Sequence, residues 1–198
     1  MVQNKSTADA ILDVAQRLIQ TRGYNAFSYR DIALALGIRS ASIHYHFPTK
    51  TDLGVRLTAR YRRLFRAELD AIVESEPDAE DRLLRFADLF RQTFEVESRL
   101  CLCGMLSAEI ATLPEGVAAE VEGFFRDTEA WLAAVLEEGR KARQFSFPGR
   151  TEEQARLLLA LLEGAMVVAR GLRDRAHFRS LAGNYIAQMK PQTAQAAR

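Results

Sequence analysis

Side chains that could do chemistry are few in this chain of 198 residues: three histidines, His44, His46 and His177, two cysteines, Cys101 and Cys103, and scattered hydroxyls and carboxylates. Zinc wants four ligands in a tetrahedron, and the histidines and cysteines lie far apart along the chain, so no metal site is expected. A nucleophile needs a base beside it, and no Gly-x-Ser-x-Gly elbow occurs. Catalytic residues and cofactors are therefore not expected either. The chemistry that the spacing does support is recognition, in the stretch Ser28 to Lys50, SYRDIALALGIRSASIHYHFPTK. Ser28 with Asp31 three residues on fits a capping box, which starts a helix and puts Ile32, Ala33 and Leu36 on one face. Gly37 ends it, because the turn wants a left-handed backbone conformation. Ile38 and Ile43 return to the same small core and leave Ser40, Ala41, Ser42, His44 and Tyr45 on the outer face of a second helix. Two short helices with such a turn make a helix-turn-helix, whose second helix reads base edges in the major groove.

The string GIRSASIHYHFPTKTDL resembles the DNA-binding signature of the TetR family of transcriptional regulators. Tyr45, His46, Phe47 and Lys50 fall at that family's spacing, and Gly23-Tyr24 precedes them correctly, so the likeness covers residues 7 to 53. It departs at two places: Arg39 stands where the family usually has a capping Ser or Thr, and His44 where it usually has a phosphate-contacting Tyr. The resemblance implies a dimeric repressor on a palindromic operator, released by a small molecule. Ser40, Ala41 and Ser42 would then meet base edges, and Arg39 a guanine or a phosphate. Tyr45, His44 and Lys50 would hold phosphates, with Ser28 and Tyr29 at the start of their helix beside them.

Charge agrees with this division. Residues 1 to 66 hold 11 Lys and Arg against 4 Asp, a net +7, and the remainder carries −6. Duplex DNA rewards neutralisation of its phosphates by counterion release, so the amino-terminal third is the nucleic-acid end. Arg56, Arg60, Arg62, Arg63 and Arg66 either add to this field or solvate a long helix. With 48% hydrophobic residues the chain can build one good core or two small ones. It shows neither a basic-then-apolar leader nor an apolar run of the roughly 18 residues a membrane span needs, so a cytoplasmic protein is expected.

The elements that must position the recognition stretch follow from helical periodicity. Ser6 with Asp9 caps a helix carrying Ile11, Leu12, Ala15, Leu18 and Ile19, which Gly23 ends. Phe27 and Phe47 flank the motif as core of a three-helix head. Thr49 with Asp52 starts a long helix from Lys50 to about Val73, an acidic linker Glu74 to Asp81 with Pro77 closes it, and Leu83 to Val96 follows as an aromatic-rich helix. Further helices are expected over Leu100 to Ala111, Val117 to Arg140, Glu152 to Gly171 and Arg175 to Met189. The architecture expected is all-α, with a helix-turn-helix domain at 1–48, a helical ligand-binding and dimerisation domain at 49–189, and a disordered tail at 190–198.

Three expectations attach to the body. Ala155 to Ala169 is apolar nearly all round, so a partner chain is its natural cover; Leu157, Leu161, Gly164 and Val168, with Phe178 and Leu181 of the last helix, are the candidate homodimer interface, resembling the family's four-helix dimer bundle. A small apolar or aromatic effector would bind among Tyr61, Phe65, Phe86, Phe90, Cys101, Met105, Phe125 and Met166. The CLxxxLSAE pattern from Cys101 to Glu109 is similar to the NemR-type branch of the family, in which a cysteine at the position of Cys101 senses electrophiles, so thiol-based sensing is the alternative to non-covalent release. On a regular helix Cys103 lies about 200° round from Cys101, and the two would face different surroundings. A helical redox enzyme built on Cys101 would need a base beside it. A purely architectural DNA binder would not need so large a body.

Overall fold

The computed structural model describes residues 6–191, and among these every regular element is helical. The amino-terminal arm 1–5 and most of the tail expected at 190–198 lie outside the described residues. The order is α1 Thr7–Arg22, α2 Tyr29–Leu36, α3 Ser40–His46, α4 Lys50–Ser75, α5 Ala79–Glu95, α6 Leu102–Ser107, a 3-10 turn Ile110–Thr112, α7 Glu115–Lys141, α8 Thr151–Leu172 and α9 Arg175–Gln188. No helix among them is long and apolar enough to cross a membrane.

Helices α1, α2 and α4 begin where a local signal places them, whereas α3 starts after Arg39 with no side-chain cap. Ser6 Oγ accepts the Asp9 amide at 3.1 Å. The Asp31 carboxylate takes the Ser28 amide and hydroxyl, each at 2.7 Å, and Asp52 does the same for Thr49 at 2.9 and 2.7 Å. Orphan amides at a helix start are thereby satisfied within three residues of sequence. Gly37 sits at φ 65°, ψ 30°, the left-handed cap that α2 requires.

The chain divides into two compact units. The first comprises residues 1–65 and 99–125, the second 66–98 and 126–198, so α4 and α7 each contribute to both. In the first unit α1, α2 and α3 enclose Ile11, Ala15, Ile19, Ile32, Ile43 and Phe47, and the start of α4 adds Leu53 and Leu57, all with almost no exposed surface. In the second, α5 gives Leu83, Phe86, Phe90 and Phe94, α8 gives Leu158, Leu162 and Met166, and α9 gives Phe178, Ala182 and Ile186. Gly139 of α7 lies directly beneath Phe145: a Cβ there would stand 2.4 Å from the ring, so glycine is what lets the loop after α7 seal that helix end.

Two expected elements differ. The linker after α4 is only residues 76–78, the helix running on to Ser75. The helix expected over Leu100 to Ala111 is broken: α6 has six residues, and Cys101 precedes it with an extended ψ of 136°. The cause is remote. Gln20 of α1, itself buried, donates its side-chain amide to the Leu100 carbonyl at 3.0 Å and accepts the Leu100 amide on its own backbone carbonyl at 3.3 Å. Leu100 is thus held against α1, and α6 starts two residues later, at Leu102.

Candidate nucleic-acid interface

Helix α3 is short, and one apolar side chain fixes its attitude. Ile43 is completely buried, whereas Arg39, Ser40, Ala41, Ser42, His44 and Tyr45 are exposed, Tyr45 at 85%. The Tyr45 ring meets the His46 ring edge-on at 5.1 Å. Phe47 and Phe27 are buried, as their place in the head core requires.

Four of the predicted contact residues come together beside α3. Ser28, Tyr29, His44 and Lys50, with Phe27, line one hollow of about 350 Å³. Within it Lys50 does not reach outward. Its Nζ donates to the Phe27 carbonyl at 2.6 Å and lies 4.7 and 4.4 Å from the ring centroids of Tyr24 and Phe27. Burial lowers the Lys50 pKa, and the charges of Glu109 and Asp31 work against that shift. Its positive charge therefore belongs to the floor of the hollow.

Tyr29 is also tied inward, its hydroxyl lying 2.9 Å from the Phe47 carbonyl and 2.6 Å from the Thr49 carbonyl. Desolvation first, and the Asp52 charge second, push its pKa up to about 12. His44 meets the Tyr29 ring edge-on at 4.7 Å, with its Nδ1 3.2 Å from the Pro48 carbonyl. Tyr29 and Lys50 thus act from behind, holding the α3-to-α4 turn.

The basic run of α4 has a partly internal use that the sequence left undecided. Arg60 pairs with Asp13 of α1 at 2.7 Å, Arg62 with Glu120 of α7 at 3.3 Å, and Arg56 lies 5.3 Å from the Phe47 ring centroid. In the second unit Arg66 reaches Asp127 at 3.7 Å. Of these, Arg62 and Arg66 meet acids that lie beyond residue 66, so two charges of the +7 are answered within the fold.

The candidate effector residues fall in two groups. In the first unit Tyr61, Phe65 and Phe125 gather round Phe124, with centroid distances of 5.6, 5.0 and 5.4 Å, and the Tyr61 hydroxyl donates to Cys101 Sγ at 3.8 Å. Met105 of α6 is half-buried. In the second unit Phe86 meets Phe90 at 5.2 Å and stacks on Trp131 at 5.5 Å, and Met166 is fully buried. Trp131 escaped the sequence reading as a site residue, yet its indole N–H is buried with no hydrogen-bond acceptor among the described residues. Both cysteines are buried and no disulfide joins them.

On α8 the exposed residues include Leu157 (57%), Val167 (58%), Val168 (50%) and Leu172 (60%), with Leu161 half-buried and Gly164 and Gly171 in the same stripe. A Cβ built on Gly164 meets nothing within 4 Å, so nothing inside the chain asks for glycine there. Leu181 is half-buried, but Phe178 is not part of this surface. It is 2% exposed and packs on Phe94 at 5.9 Å, because α9 turns Phe178, Ala182 and Ile186 inward against α5 and α8.

A capped helix-turn-helix with a bare second helix, followed by a helical body, defines a DNA-binding regulator of transcription. Residues 11–57 match the family model of bacterial regulatory proteins of the tetR family, and residues 79–183 match the tetracyclin repressor-like C-terminal domain. The chain belongs to the tetR family, whose members bind operator DNA as dimers and answer to small-molecule effectors. A TetR-family regulator from Agrobacterium tumefaciens is 35% identical, with a TM-score of 0.90 over 93% of this chain and 97% of that one. The HTH-type transcriptional repressor NemR of Escherichia coli is 26% identical over 83% of this chain and 84% of its own length. The crystal structure of its reduced form superposes with a TM-score of 0.81 at 25% identity, over 96% of this chain and all of that one. The chain is thus NemR-like within its family.

Proposed function

We propose that this chain is a cytoplasmic, non-enzymatic repressor, in which the exposed face of α3 reads a half-site and a small effector releases it. The observation that carries the reading is the pairing of a fully buried Ile43 with a bare Tyr45, which presents Ser40, Ala41 and Ser42 outward as a set. Short hydroxyl and methyl side chains fit base edges and the thymine methyl. Arg39 takes a guanine or a phosphate, and His44, Tyr45 and Ser28 take phosphates. Lys50 contributes charge from within the hollow, and Tyr29 supports the turn. Two such heads, joined through the α8 stripe of Leu157, Leu161, Gly164 and Val168 with Leu181 of α9, would sit on half-sites one helical turn apart, about 34 to 36 Å.

The effector is an apolar or aromatic molecule that stacks on the Phe86, Phe90 and Trp131 cluster and presents a hydrogen-bond acceptor to the Trp131 indole. Leaving such a donor buried and unanswered costs about 1–3 kcal/mol, which a ligand acceptor would recover. Met166 is a further candidate in the same unit, while Tyr61, Phe65, Met105 and Phe125 are candidates for a separate contact within the first unit. Burial of Cys101 favours non-covalent release over thiol chemistry. Trp131 is the sole tryptophan, so its emission reports binding directly. 2-Acetylnaphthalene should shift that emission more strongly than 2-ethylnaphthalene, which has the same shape without the acceptor. Equal responses to the two would remove Trp131 from the site. An alkylating agent should leave operator binding of the wild type and of Cys101→Ser alike, and release of the wild type alone would restore the thiol mechanism.

A further inference from the structure

Two sequence features stand outside the DNA-reading face: Gly23-Tyr24 after α1, and Glu109 at the end of the CLxxxLSAE pattern. They meet in one contact inside the first unit. The Glu109 carboxylate accepts the Tyr24 amide at 2.6 Å and the Asn25 amide at 3.2 Å. Asn25 Nδ2 donates to Thr112 Oγ1 at 2.8 Å, on the 3-10 turn that follows Glu109. Gly23 makes room for this: its φ is +99°, and a Cβ there would stand 2.6 Å from Glu109 Oε1. A second joint lies one helix away, where Gln20 and Leu100 exchange their two hydrogen bonds.

The loop so held leads straight into the recognition machinery. Tyr24 donates its hydroxyl to the Lys50 carbonyl at 3.0 Å, and the Lys50 ammonium, lying over the Tyr24 ring, donates to Phe27 just before the cap of α2. The start of α2 and the start of α4 are both fixed through residues 23–27. An anionic oxygen on two adjacent amides is among the stronger hydrogen-bond arrangements available to a protein.

We propose that Glu109 is a positioning residue for DNA binding, the point at which the 99–125 segment sets the attitude of the α2–α3 pair. The inference rests on the DNA-binding reading, but the clamp itself is testable without DNA. Hydrogen exchange on the DNA-free full-length protein should show Tyr24 and Asn25 exchanging at least about tenfold faster in Glu109→Ala, as expected when a charge-assisted hydrogen bond is lost. On a duplex that the wild type selects from a random library, Glu109→Ala should bind about tenfold more weakly, while affinity for a random duplex of equal length stays within about twofold. Glu109→Gln keeps an acceptor oxygen and should recover most of the selected-duplex affinity. The selected duplex should also slow exchange across residues 100–112 in the wild type and not in Glu109→Ala, a response that a merely stabilising residue would not control.

Unchanged exchange at Tyr24 and Asn25 in Glu109→Ala would overturn the clamp. Equal losses on selected and random duplexes would overturn the positioning role, leaving Glu109 a plain stabiliser. Should Glu109→Ala fail to fold, Thr112→Val, which removes the acceptor for Asn25 and the hydroxyl bond to the Glu109 carbonyl at 3.0 Å while leaving the Glu109 carboxylate in place, carries the same test: a selective loss on the selected duplex supports the proposal, and an equal loss on both sinks it. If the wild type selects no duplex at all, the DNA-binding reading fails, and the exchange comparison alone judges the clamp.

Discussion

Helices α3 and α8 both leave large side chains in water, and the chemistry they leave there differs completely. Around α3 the exposed set is Arg39, Ser40, Ser42, His44 and Tyr45, hydrogen-bonding groups that suit a polyanion with readable edges. Along α8 it is Leu157, Val167, Val168 and Leu172, with glycines at 164 and 171, which offer no hydrogen bond and suit only another apolar surface at close approach. Side-chain type separates the partners we propose for them: a nucleic acid for one, a second copy of the chain for the other. A two-fold dimer would need only one such stripe, because the same patch serves both protomers.

The largest effect expected of any one change is at α8. Gly164→Glu would bury a charge without a counter-charge in a desolvated contact, at a cost of several kcal/mol, and sedimentation should find monomers at micromolar concentration. An intact dimer would take Gly164 out of the interface and break the comparison at its apolar end. Next, Arg39→Ala or Ser42→Ala should alter base preference at one position by about 1 to 3 kcal/mol. Affinity measured on single-base variants of a selected duplex decides this, since uniform losses on every duplex would make them phosphate contacts.

Lys50→Ala sharpens the boundary between reading and support. Because the ammonium satisfies the Phe27 carbonyl, its removal should lower stability by about 1–3 kcal/mol in addition to weakening all duplexes alike. A variant of unchanged melting temperature with a flatter salt dependence would instead put Lys50 on the DNA. The smallest effect is the titration of Tyr29. Its raised pKa means that the folded state prefers the neutral phenol, so this contribution to stability is complete below about pH 10 and is lost as pH rises through about 12. Phenolate absorbance in wild type and Tyr29→Phe should differ by one group ionising near pH 12, and ionisation near pH 10 would mean that the phenol is not desolvated beside Asp52.

What could be read from the sequence was what is written locally. Ser6, Ser28 and Thr49 each meet an aspartate three residues on, and Gly23 and Gly37 end helices, so the head was legible almost residue by residue. The apolar excess of α8 was legible too, because no internal neighbour can hide it. What escaped depends on contacts distant in sequence. Gln20 and Leu100 are 80 residues apart, and their pairing breaks the helix that local propensity writes from Leu100. Arg60 and Arg62 find Asp13 and Glu120 on other helices, so the basic run could not be divided between DNA and structure beforehand. Phe178 turns inward although α9 is apolar on more than one side. Glu109 stood only as the last residue of the CLxxxLSAE pattern, and its contact with Tyr24 and Asn25 is written nowhere in the local sequence.

The most direct test of the central claim is the affinity of the full-length protein for its selected duplex, measured by fluorescence anisotropy between about 50 and 200 mM salt beside a random duplex. The account predicts that log affinity falls linearly with log salt, by a slope of several, and that the selected duplex binds at least about a thousandfold more tightly than the random one. Affinity that is insensitive to salt, or equal for the two duplexes, would contradict it.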